Sequence, residues 1–117
     1  RALTKNVLPA DSARRAVIHL SGVFACNFAN AMYANAAEVL AKEELPFDIV
    51  APVIEETAKK VVESQDPAQS QTGPARRGDT QTLERHRKML AEEPEKREIY
   101  DKISEDIWHR TKTSKSY

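Results

Sequence analysis

DSARRAVIHLSGVFACNFANAMYANAAEVLAKE, Asp11 to Glu43, contains no proline and a single glycine, Gly22. Its apolar positions, Val17, Leu20, Phe24, Phe28, Ala31, Tyr33, Ala36, Val39 and Leu40, recur mostly at threes and fours, the spacing of one helix face. Asp11 and Ser12 are good N-cap types, and Pro9 marks the entry. The pattern predicts a first helix of about 32 residues, a rod of roughly 48 Å at about 1.5 Å per residue. Such a rod is longer than a domain of this size is wide. It must protrude or form the axis on which other helices, or a second subunit, pack.

Outward from that helix the chain continues in the same style. EELPFD makes a turn, and Asp48 is the expected cap of a second helix, about Ile49 to Ser64. Val50, Val53, Ile54, Thr57 and Val61 are its expected buried stripe, and Pro52 sits in the first turn, where a missing N–H costs little. SQDPAQSQTGPARRGD, residues 64–79, then breaks the pattern. Asp79 is the expected cap of a third helix, TQTLERHRKMLAEE, which offers Leu83, Met89 and Leu90 for contact. Pro94 opens a fourth, on which Ile99, Ile103 and Ile107 form a narrow stripe with Tyr100 and Trp108 beside it. The segment from Thr111 to Tyr117 has no periodicity and is expected to fray as a disordered tail. No segment alternates apolar and polar residues, so the fold class is all-α, a helical bundle built on the long N-terminal helix.

Composition narrows the function classes. The chain has 117 residues, with 18 Lys and Arg against 18 Asp and Glu. This balance lacks the basic footprint of a nucleic-acid binder. Cys26 is the sole cysteine, so an intrachain disulfide and a cysteine metal cluster are ruled out, and a lone thiol suits a reducing compartment. Without an apolar run long enough to span a bilayer or a signal peptide, the expectation is a cytoplasmic protein with neither membrane nor nucleic-acid partner. The absence of an initiator Met and of any strand-rich segment suggests a piece of a larger protein, with residues 1–11 a linker and 12–110 the helical domain.

Two segments carry candidate chemistry. On the first helix, His19, Ser21, Asn27 and Asn30 interrupt a small and apolar surface, and burying such groups without partners costs a few kcal/mol. At about 100° per residue, Asn30 lies about 20° and Asn27 about 80° round from His19, with Ser21 about 160° away. One helix side could therefore present His19, Asn27 and Asn30 to a small polar molecule; alternatively, these groups bond to neighbouring helices. In the loop, Thr72, Gly73 and Pro74 favour a turn, and Gly78 can take positive φ before Asp79. A helix start with Arg76 and Arg77 nearby suits a carboxylate or phosphate. The alternative is a connector in which Arg77 ties the loop to Asp79 or to a helix end. His86 and His109 show no metal-site spacing, and no Gly-rich nucleotide loop is present.

HLSGVFACNF on a long first helix, followed by QTGPARRGDTQTLERH and a Pro-initiated last helix, resembles the family called domain of unknown function 2520. That domain is the C-terminal half of Rossmann-like oxidoreductases and is grouped with the all-helical C-terminal domains of the 6-phosphogluconate dehydrogenase superfamily. The resemblance spans about residues 12 to 110. Its most specific motif is Thr72-Gly73-Pro74 with Arg77-Gly78-Asp79, followed by His19 and Asn27. It implies NADP or NAD bound mainly by an absent N-terminal domain, a homodimer formed through the long helix, and a small-molecule substrate in an interdomain cleft. By the same resemblance, Asn27, Asn30, Thr72, Gly73, Arg76, Arg77 and Asp79 would face that substrate. The lysine that several dehydrogenases of the superfamily carry four residues before an asparagine is missing, since Val23 precedes Asn27 and Cys26 precedes Asn30 at that spacing. His19 is the substitute acid, histidine being suited to proton transfer near neutrality.

Overall fold

A computed structural model describes residues 11–115. The expected linker, apart from Asp11, and the end of the expected tail lie outside the described residues. All regular structure among the described residues is helical, as expected. The chain divides into two units, Arg1–Ile49 and Val50–Tyr117.

In the first unit, helix α1 (Ser12–Gly22), a π-helical segment (Val23–Phe28) and helix α2 (Ala29–Ala41) follow one another without a break. Asp11 is the N-cap, its carboxylate accepting from the Arg14 N–H at 2.9 Å. At the other end Glu44 takes φ 55°, and the Leu45 N–H returns to the Leu40 carbonyl at 3.0 Å. That six-residue closure satisfies a carbonyl the helix end would otherwise leave open. The next expectation fails. Asp48 lies within a 3-10 turn, Phe47–Ile49, closed by the Ile49 N–H on the Pro46 carbonyl. The cap of the following helix is Val50, whose side chain has no bond to give.

The second unit contains α3 (Ala51–Ser64), a short α4 (Pro74–Arg77), α5 (Thr80–Met89) and α6 (Pro94–Lys115). The stripe expected to be buried on α3 is only partly so: Val50, Ile54 and Val61 are half-buried, whereas Val53 is 63% exposed and Thr57 is exposed as well. Asp79 caps α5 as expected. Within the stretch read as turn residues, PARR is a full helical turn that packs on both α5 and α6.

Helix α6 departs most from the periodicity. Ile99 and Ile103 are 38% and 42% exposed, whereas the less exposed face carries Tyr100, Ser104, Ile107 and Thr111. Three of those four bear hydroxyls, so a search for apolar spacing finds Ile107, with Tyr100 beside it, and misses Ser104 and Thr111. The helix also continues to Lys115 through most of the segment expected to fray. Thr111, the first residue of that segment, is 1% exposed and, with Ala75 of α4, is one of two buried residues among those described. Its hydroxyl donates to the Ile107 carbonyl at 2.9 Å, which removes the cost of enclosing it. Thr111→Arg should therefore lower stability by at least about 2 kcal/mol through overpacking at an enclosed position, whereas Lys112→Arg should leave it within about 0.5 kcal/mol. Chemical denaturation of the two variants checks this.

Candidate functional site

The stretch Thr72–Asp79 is shaped by two glycines, for different reasons. Gly73 takes φ 104° with open space where a side chain would be, and Gly78 takes φ 66°. A Cβ at Gly78 would lie 3.1 Å from Cζ3 and 3.2 Å from Cη2 of Trp108. The turn therefore uses positive φ twice, and at Gly78 a side chain would also press on an indole ring of α6, which would have to give by a few tenths of an ångström. The Asp79 N–H closes on the Pro74 carbonyl at 2.9 Å, and α5 starts at the next residue.

Asp79 is the electrostatic centre of this turn. Its carboxylate accepts from the Thr82 hydroxyl at 2.7 Å and from the Thr82 N–H at 3.1 Å. Arg77 reaches it at 3.6 Å. The Thr82 hydroxyl and then the Thr82 N–H hold the Asp79 carboxyl below the ordinary carboxylate range, with the Arg77 charge adding to the effect. The sequence left open whether this helix start would receive an external anion or Arg77 would tie the loop to Asp79; the second arrangement is present. The carboxylate already occupies the place of an anion at the start of α5.

The two arginines part company here. Arg77 faces Asp79, while Arg76 is half-buried and forms no ion pair among the described residues. Thr72 is exposed beside Gly73. Periodicity offered no sign of the pairs that join α5 to α6. His86 Nδ1 and the Tyr100 hydroxyl are 2.7 Å apart, and Arg87 Nε donates to Asp101 at 2.9 Å. Burial, then the neighbouring Asp101, raises the Tyr100 hydroxyl above its ordinary value. The shared separation of fourteen residues between partners was the available signal.

The first unit treats its candidates differently. His19, Asn27 and Asn30 are all exposed, so none carries the desolvation cost that would demand a partner. The Ser21 hydroxyl donates to the Ile18 carbonyl of its own helix at 2.7 Å. The single face expected for His19, Asn27 and Asn30 assumed a regular α-helix. The π-helical segment lies between His19 and Asn30, and its wider hydrogen-bonding shifts all later positions by about one residue, or about 100°. Asn30 is thus turned about 80° from His19, not about 20°. Phe24 and Phe28, within the segment, meet edge to face at 5.1 Å.

Among the described residues no cluster of three His, Cys, Asp or Glu could hold a metal, and no helix is long and apolar enough to cross a membrane.

Two outcomes test the turn. Gly78→Ala must pay both the left-handed backbone cost and the push against Trp108, so it should lose about 2 kcal/mol, against about 1 kcal/mol for Gly73→Ala; thermal unfolding distinguishes them. Because the folded Asp79 value lies below the unfolded one, its cap contributes fully above the unfolded carboxyl value of about 3.9 and is lost as pH falls through the folded value. Protection of the Thr82 amide relative to its intrinsic exchange rate should fall over that acid range in the native chain and show no such step in Asp79→Asn.

Comparison with known proteins agrees with this architecture. The family described as "Domain of unknown function (DUF2520)" matches residues 1–107. A crystal structure described as a "putative NADP oxidoreductase" from Bacteroides fragilis is 48% identical, with a TM-score of 0.83. The match covers 88% of this chain and 39% of that one, so this chain spans about two-fifths of the relative's length. No curated protein matches. With nearly its whole length matched, the chain belongs to the domain of unknown function 2520 family.

Proposed function

We propose that this chain is the C-terminal substrate-cleft and dimerisation domain of an NAD(P)-dependent oxidoreductase, inactive without an N-terminal Rossmann domain. The observation that carries the reading is the 48% identity to a protein described as a "putative NADP oxidoreductase", combined with coverage of only 39% of that protein. The described residues include no strand and the sequence has no glycine-rich nucleotide turn, which supports leaving cofactor binding to another part of such a molecule. In this reading NADP or NAD is held mainly by that part. His19 acts on the proton of the substrate, and Asn27, Asn30, Thr72, Gly73, Arg76, Arg77 and Asp79 line the substrate side.

Dimerisation draws support from the first unit. Val17, Leu20, Phe24 and Phe28 are between 50% and 66% exposed, and large apolar side chains at helical spacing gain by leaving water. A second copy laid along this helix would cover them. A cytoplasmic location accords with the single free thiol, Cys26.

Titration of the full-length protein with NADPH, followed by nicotinamide fluorescence, should show saturable binding. No binding at millimolar cofactor would leave the second reading, a non-catalytic module that binds a small anion or only dimerises, which the missing lysine and exposed His19 favour. Once a substrate is identified, His19→Ala should cut turnover by roughly 10²-fold or more; unchanged turnover removes His19 from the mechanism. Light scattering at micromolar concentration should give a dimer, with Phe24→Asp shifting it to monomer. A native chain that runs only as monomer defeats the dimer claim.

A further inference from the structure

The turn and the end of α6 form one device. Gly78 lies against the ring of Trp108, α4 packs on α6, and the two buried residues among those described, Ala75 and Thr111, belong to those two helices. Nothing in the local sequence of the turn fixes where its arginines point. What fixes the backbone on either side is contact with α6 and the Asp79 cap. Within that frame Arg77 is engaged with Asp79, and Arg76, one residue away, is half-buried without an ion pair among the described residues. The Asp79 charge beside it is compensated by Arg77 and two bonds from Thr82, so repulsion of an incoming anion is reduced.

We propose that Trp108 is the positioning residue of this turn: its ring against Gly78 holds a shape in which Arg77 is committed to Asp79 and Arg76 meets a small oxyanion, a phosphate or a carboxylate. The inference rests on the reading that the turn lines a ligand cleft, and it divides the roles of two adjacent arginines that sequence treats as equivalent. Arg76 contacts ligand; Arg77 holds the turn.

Limited trypsin digestion of the full-length protein, with cut sites located by mass spectrometry, tests both parts. Cuts after Lys59 and Lys60, on exposed positions of α3, serve as the internal reference. Trp108→Ala should speed cleavage after Arg77 by about tenfold over that reference, because cleavage tracks the open population of the turn, and Trp108→Phe should restore most of the protection. An unchanged ratio, or equal acceleration at every site, overturns the positioning role. Should Trp108→Ala fail to fold, Gly78→Ala is compared in the native and Trp108→Phe backgrounds. The penalty must be smaller with the smaller ring, and equal penalties overturn the contact.

For the ligand, inorganic phosphate and malonate are each added at tens of millimolar, with chloride at matched ionic strength as control. Slower cleavage after Arg76 with either probe, the reference cuts unchanged, supports the assignment, and the more effective probe identifies the oxyanion. No protection by either overturns it. Because NADPH binding is measured separately, a protein that binds NADPH but shows no protection loses this inference and keeps the oxidoreductase reading.

Discussion

Close passage of the Gly78 backbone beside the Trp108 ring is the constraint on which the second unit turns. A Cβ at this position would sit 3.1 Å from the ring, so the indole would have to give by a few tenths of an ångström, and the left-handed φ of 66° favours glycine as well. Given that contact, PARR can form a helical turn against α6, and the chain can reverse into Asp79 with the geometry to cap α5. Ala75 and Thr111 become buried on the two helices concerned. The hydrogen bond between His86 and Tyr100 and the ion pair between Arg87 and Asp101 then fasten α5 to α6 further along. These contacts are mostly polar, and little of the unit rests on large apolar side chains.

That polarity changes how the arginine-rich turn is understood. A helix start beside two arginines reads as an open invitation to an anion. The helix start is taken by the Asp79 carboxylate, and Arg77 is drawn to the same group. Of the two arginines, Arg76 is the one that this pairing leaves without a carboxylate among the described residues. The distinction is electrostatic and local: a carboxylate three residues before the N–H it accepts from satisfies that donor more cheaply than a diffusing ion can.

The first unit has the opposite character. Its long helix exposes Val17, Leu20, Phe24 and Phe28, and its polar candidates are in water. Membership of the domain of unknown function 2520 family and likeness to a protein of which this chain covers 39% give those apolar side chains a context in which further protein surface would cover them. Full burial of such groups contributes about 1.5 to 3 kcal/mol each.

Local chemistry in the sequence determined the helical class, the first helix from Asp11 onward, the Asp79 cap, the Pro94 start and the glycine turn, because caps, proline and glycine act within a few residues of themselves. It also contained both readings of Arg77. It could not supply the π-helical segment that turns Asn30 away from His19, since widened hydrogen bonding leaves no mark on residue spacing. Nor could it show that Asp48 falls in a 3-10 turn or that α6 continues past Thr111. Ile99 and Ile103 satisfy helical apolar spacing and yet are more exposed than Tyr100, Ser104 and Thr111. Only tertiary structure decided that, because a hydroxyl bonded to its own helix can be enclosed at little cost, and which face is enclosed depends on a turn some thirty residues earlier finding Trp108.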